Sequence, residues 1–430
     1  MRSAPADRAT KDGHPRWWTA RLVLAALTVI TLFAAAGCTQ TETITPPPPQ
    51  RDTSDTEAAG SQQLLDELTA ALRAGDRPRV LALAAPGSAG QLSAIADNYR
   101  RLGIGGLSMR YVAVNTGALS DAEQQHFGPS AWAASVEVSY RISRYDTGPT
   151  TMEAGFVFER DRQGVRLAAV GGQGDRSPLW LRDPLAVRRT ARTLVLVAPG
   201  NDVAEYAALA TRAVHDVNRV LRGWRGDLVI EVPGSQAELD AILGTDRQRY
   251  ANIAAVTTSV DGSLVPGSPV HVFVNPAIFD TLRRRGAQVV MSHETTHVAT
   301  RAAFASMPTW LVEGFADFVA LDHAGVPVQV AARRYLAKIR RHGLPTHLPT
   351  ATDLSPTAPG LGATYEAAWL ACRYLGNRYG EAKMVAFYRA VGRGQSADQA
   401  FASVLGTTPA AFLRGWRADL GSLARGGVGG

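Results

Sequence analysis

Apolar positions along the chain fall into blocks of different period. The first block is an uncharged run over 22–37 (LVLAALTVITLFAAAG). A helical spacing begins at Ser61, with Leu64, Leu65, Leu68, Ala71 and Leu72, then Val80, Leu81 and Leu83. Alternating runs at 107–114, 132–142, 154–158 and 165–170 then read as strands, with the turn residues Asp146, Thr147, Gly148 and Pro149 among them. Beyond Pro178 and Pro184 a strand is expected at 192–198 and a long helix at 203–221. Further strands are expected at 228–232, 253–258 and 270–274, and a helix at 287–305. After Thr309 the pattern is helical almost to the end.

This order predicts an α+β protein in two folded regions. Residues 61–176 form helices packed on one face of a curved sheet. Residues 190–422 form a small mixed sheet followed by a mainly helical part. Residues 177–189 connect them, and 423–430 are a glycine-rich tail. The first region resembles the nuclear-transport-factor-2-like superfamily in element order, and it carries no catalytic cluster.

The N-terminal segment changes the picture of where the domains work. Arg2, Arg8, Lys11, Arg16 and Arg21 precede the apolar run, whose length suits a signal peptide. A basic flank stays in the cytoplasm, so the remainder is expected outside it. Residues 35–38 (AlaAlaGlyCys) resemble a bacterial lipoprotein signal, which implies lipidation of Cys38. An uncleaved anchor extended through Thr39 to Thr41 is the alternative, and both put the same domains on the outer face of the cell membrane. Residues 39–60, with four consecutive prolines, then read as an extended stalk.

Composition narrows the partners. With 46% hydrophobic and 19% charged residues the chain is globular rather than disordered. The net charge of +7 is spread along 45 basic side chains. Its two densest clusters are Arg283-Arg284-Arg285 and 333–341 (RRYLAKIRR), and the second spaces cations around Tyr335, Leu336 and Ile339 as a solvated amphipathic helix does, so no nucleic-acid partner is expected. Cys372 reads as a buried free thiol, unpaired with Cys38.

The chemistry concentrates in His293-Glu294-Thr295-Thr296-His297. On a helix, i and i+4 differ by about 40° in azimuth, so both imidazoles can share one ion. Glu294 sits about 100° round from His293, beside the metal rather than on it, where it can take a proton from water. A second short helix follows Pro308, reading Thr309-Trp310-Leu311-Val312-Glu313-Gly314-Phe315-Ala316-Asp317, with Thr309 as N-cap. Glu313 as third ligand leaves a fourth position open, the composition of a catalytic zinc site. Asp317, one turn on, can accept the free N–H of a ligand histidine, against its plain reading as a surface acid.

These two motifs are similar to those of the gluzincin metallopeptidases, the thermolysin-like group, and in particular to bacterial members with a comparable second helix. The resemblance covers residues 190–420 and implies one Zn2+ held by His293, His297 and Glu313, with Glu294 as general base, Asp317 behind a histidine and a peptide or protein substrate. It further implies that the strand 252–258 is an edge for substrate pairing and that a tyrosine or histidine stabilises the oxyanion. Tyr365 is the candidate, against a role as core aromatic beside Trp369; His323 is a second. Two departures stand out. Fifteen residues separate His297 from Glu313, fewer than in familiar members, and no Gly-Ala-Met-Glu-Asn sequence is present to grip a free amine. The reading is therefore a zinc peptidase of open substrate, and its competitor is a catalytically silent zinc-binding module for a peptide or cell-envelope ligand. A third reading makes the N-terminal region the functional one.

Overall fold

The computed structural model describes residues 53–171, 176–245, 249–322 and 324–426. The apolar run, Cys38 and most of the stalk lie outside the described residues, as do His323 and the last four residues of the tail. One boundary is corrected: the expected stalk ends early, because helix α1 (Thr53–Ala74) already includes residues 53–60. Asp55 in its first turn complements the helix dipole, and Ala58 and Ala59 favour helix. Gly60 lets the helix lie against Val165, whose Cγ2 would stand 2.6 Å from any Cβ placed there.

After α1 come α2 (Arg77–Ala82), α3 (Ala89–Leu102), β1 (Ile104–Val114), α4 (Asp121–Phe127), β2 (Ala131–Ile142), β3 (Thr150–Asp161) and β4 (Gly164–Val170). The strands form an antiparallel meander in the order β1-β2-β3-β4, with α1 packed on β1 and β4. Extra residues in β1 and β4 interrupt the ladder, the local device by which a sheet bends.

The connector is not a loose one. Leu179, Trp180 and Leu181 form a fully buried turn, and Asn98 donates from Nδ2 to the carbonyls of Trp180 (2.9 Å) and Asp183 (2.7 Å). Strand β5 (Ala186–Arg189) then pairs antiparallel with β6 (Thr193–Val197). Next are α5 (Val203–Val220), β7 (Leu228–Val232), α6 (Gln236–Leu243), β8 (Ala255–Ser259) and β9 (Val270–Val274). The second sheet runs β5-β6-β7-β9-β8, with β6, β7 and β9 parallel and both edge strands antiparallel to their neighbours.

Alternation assigns the two faces of this sheet. Leu194, Leu196, Val229 and Phe273 join the core of the N-terminal region, while Val195, Val197, Ile230 and Val272 pack under α5 and the helices that follow. Burial on both faces explains why these strands read as continuous apolar runs. The two regions expected from the sequence therefore share one hydrophobic layer. A chain cut near Arg192, the natural way to ask whether the N-terminal region is the functional part, would bare that layer to water.

Helices α7 (Pro276–Phe279), α8 (Arg284–Thr300), α9 (Thr309–Leu321), α10 (Val328–Ala331), α11 (Arg333–His342), α12 (Leu361–Tyr379), α13 (Glu381–Gly392), α14 (Ala397–Ser403) and α15 (Pro409–Ala424) complete the chain. Phe387, Phe401, Phe412 and Trp416 fill the core between them. Cys372 is a buried free thiol, as expected. The architecture is α+β, with an antiparallel sheet, a mixed sheet and a helical remainder. Among the described residues no helix is long and apolar enough to cross a membrane.

Candidate metal centre

Helix α8 carries the HisGluThrThrHis motif on buried backbone between α5, α9 and the edge strand β8. Its buried hydroxyls are satisfied locally: Thr295 donates to the Met291 carbonyl (2.7 Å) and Thr296 to that of Ser292 (2.8 Å). Ser292 donates to Asp216 of α5 at 2.9 Å, which fixes the helix's rotation about its axis. The helix starts three residues earlier than the periodicity predicts and stops at Arg301, whose φ of 54° is left-handed. That turn redirects the chain through Ala302–Phe304 to Pro308, which takes the N-cap position of α9; Thr309, expected there, is the first helical residue.

Close packing then brings α9 to the motif. A Cβ on Gly314 would lie 2.3 Å from the Ala368 carbonyl oxygen and 2.9 Å from Cys372 Sγ. Only glycine lets α9 sit so near α12, and one turn before Ala368 on α12 stands Tyr365.

The structure brings His293, His297 and Glu313 together. His293 donates its Nδ1–H to Asp317 Oδ1 at 2.8 Å, which turns the Nε2 lone pair the other way. That Nε2 lies 2.9 Å from His297 Nε2 and 3.2 Å from Glu313 Oε2, and His297 Nε2 is 3.5 Å from the same oxygen. Metal–ligand bonds of ~2.0–2.2 Å at tetrahedral angles put ligand atoms roughly 3.3 Å apart, so one zinc-sized cation fits the triangle. Among the described residues this is the one group of three suited to a metal. Burial works to raise the Glu313 carboxyl, but His297 and His293 hold it well below its usual range. His297 Nδ1 is buried with no hydrogen-bond partner among the described residues, unlike its Nε2.

Glu294 is buried and accepts from Thr257 Oγ1 on β8 at 2.6 Å. Burial raises its carboxyl above the ordinary glutamate value, against the pull of His293, His297 and the Thr257 hydroxyl. Tyr365 stands with its ring centroid 6.2 Å from that of His293 and lines the same cleft as Glu313. Burial, then the charges of Glu313, Glu294 and Asp317, push its phenol far up, so it stays a donor. Tyr365 lines the cleft and also packs at the rim of the helical core, inside which Trp369 lies.

These groups line a cleft of about 770 Å3 whose opposite wall is 252–257, including the outer edge strand of the sheet. Thr257 and Gly314 were not recognised as part of the site from sequence. A glycine inside a helical pattern was the available signal for one; nothing local signals the other.

The arrangement is a two-histidine, one-carboxylate group that could hold a metal ion, with a neighbouring buried carboxylate. The sequence matches no protein-family model and no curated protein. Among solved structures, a mutant of an M1 zinc metallopeptidase from Deinococcus radiodurans is distantly similar, at 16% identity and a TM-score of 0.31. The match covers 67% of this chain and 61% of that one, so the chain spans about three fifths of that enzyme's length.

Proposed function

We propose that the protein is a zinc-dependent peptidase, acting outside the cytoplasmic membrane and held there by its N-terminal segment. The observation that carries the reading is the convergence of two imidazole nitrogens and one carboxylate oxygen next to Glu294, in a cleft walled by a free strand edge. His293, His297 and Glu313 hold the ion. Zinc bound there supplies polarisation of a substrate carbonyl and a lowered pKa for water. The outer edge of β8 pairs with an extended substrate backbone. Glu294 takes a proton from the attacking water and returns it to the leaving amine, while Thr257 keeps its carboxylate aimed into the cleft. Tyr365 O–H donates to the oxyanion as it forms. The export reading rests on residues 1–38 alone, and no nucleic-acid partner is proposed.

A catalytically silent module needs the ligands but has no use for a buried carboxylate held by a strand hydroxyl, so the Glu294–Thr257 pair favours catalysis. The test is metal content by mass spectrometry beside hydrolysis of a quenched peptide library. About one zinc per chain, lost in Glu313→Ala, with hydrolysis lost in Glu294→Gln while zinc is kept, is the expected result. Zinc with no hydrolysis of any peptide leaves the silent module, and no zinc after refilling removes both.

A further inference from the structure

Outside the metal cluster and its neighbours Glu294 and Asp317, the cleft wall mixes apolar residues such as Ile253, Val256 and Leu361 with neutral polar ones such as Asn252 and Thr357. Among the described residues it contains one further charge, Arg334 at the start of α11. Its guanidinium forms no hydrogen bond or ion pair with a described residue. The nearby acid Glu366 feels its field but spends its carboxylate on the Tyr335 N–H at 2.7 Å. Arg334 is exposed at the rim of the cleft, so an anionic group of a bound ligand can reach its guanidinium.

Arg334 Nη1 lies against α12 at Gly362, where a Cβ would meet the guanidinium and push it aside. Gly362 precedes Tyr365 by three residues, ~4.5 Å along the helix. The Tyr365 ring centroid in turn stands 6.2 Å from that of His293 in the cluster. An extended peptide advances ~3.3 Å per residue, so Arg334 lies within about one to three residues of the carbonyl under attack. On its far side Arg334 also lines an open groove of about 750 Å3 with Arg333, Lys338, Arg341 and His342, and no acidic side chain lines it.

We propose that Arg334 anchors a carboxylate-binding subsite, selecting peptides with an acidic group close to one side of the scissile bond. The proposal rests on the peptidase reading for its substrate class. The cleft favours a peptide over other polyanions because the cation shares its wall with a free strand edge. Two sources supply the carboxylate, an Asp or Glu side chain and a chain's own C-terminus.

The experiment measures binding of degenerate octapeptide libraries to the zinc-loaded full chain carrying Glu294→Gln. One library holds a single Asp or Glu, a second the matching Asn or Gln, and each is made as free acid and as C-terminal amide. A preference of roughly tenfold for the carboxylate member is expected, collapsing toward unity in Arg334→Gln and partly restored in Arg334→Lys. Gly362→Ala, which displaces the guanidinium without removing it, should reduce the preference as well. If the side-chain acid carries the preference the subsite reads sequence, and if the free C-terminus does it reads chain ends. In the catalytically intact protein the advantage should appear in KM rather than kcat. Hydrolysis without charge preference overturns the subsite and leaves the peptidase. Discrimination without hydrolysis of any peptide overturns the peptidase and leaves the subsite. A preference that survives Arg334→Gln assigns it elsewhere and overturns the proposal.

Discussion

Two histidine–carboxylate groups lie on opposite sides of the second sheet, made of the same residue types and set up for opposite ends. On the side facing the N-terminal region, His271 of β9 meets Glu231 Oε1 with Nδ1 at 2.6 Å and Asp146 Oδ1 with Nε2 at 2.9 Å. Both ring nitrogens are engaged and all three side chains are out of water. Burial alone would lower the imidazole's pKa, but Asp146 and then Glu231 raise it to about 9, so the ring carries its proton. On the other side, His293 gives one nitrogen to Asp317 and turns the second toward His297 and Glu313. A histidine closed at both ends is a fastener between two parts of a fold. One closed at a single end leaves a lone pair to share, and two such rings with a carboxylate make a place for a cation.

The sharpest break comes from Glu294, which neither group uses as a fastener. In Glu294→Gln, peptide hydrolysis should fall by about 10²- to 10⁴-fold with zinc content unchanged. Asp146→Ala breaks the fastener. It leaves His271 buried with one partner fewer, also removes the acceptor of the Ile142 N–H, and should cost ~3–5 kcal/mol in denaturant unfolding, again with zinc retained. The fastener also predicts a pH dependence. His271 binds its proton more tightly folded than unfolded, so its contribution is complete below about pH 6.5 and is lost as pH rises through about 9. Unfolding free energy should decline over that window by on the order of 3 kcal/mol, and the decline should disappear in His271→Asn. Asp317→Asn is the mildest. It should weaken zinc ~10- to 100-fold in chelator competition and leave stability almost untouched, because that carboxylate is partly exposed.

Most of the chemistry was legible before any coordinates because it is local. The i, i+4 spacing of His293 and His297, and of Glu313 and Asp317, fixes which side chains share a face whatever the tertiary fold does. Strands β7 and β9 were delimited to the residue, since both faces are buried and apolar content ends where they end. Strand β5 was missed because Ala186–Arg189 shows neither alternation nor an apolar run; pairing with β6 alone makes it a strand. Helix α4 was missed too, although its capping box of Ser120 and Glu123 is written in the sequence, because no buried residue gives it a period. Asp146 read as a turn residue, and His271 fell unremarked inside the strand expected at 270–274. Their pairing spans 125 positions, and no local rule reaches that far. The same holds for Thr257 with Glu294.

The outer edge of β8 has a colloidal consequence. Among the described residues β8 pairs only with β9, and its central residues Val256, Thr257 and Thr258 are half-buried rather than covered. A row of open backbone donors and acceptors does not distinguish a substrate from another copy of the same chain. Concentrated protein should therefore associate edge to edge through this strand, and a peptide held in the cleft should act as a dispersant.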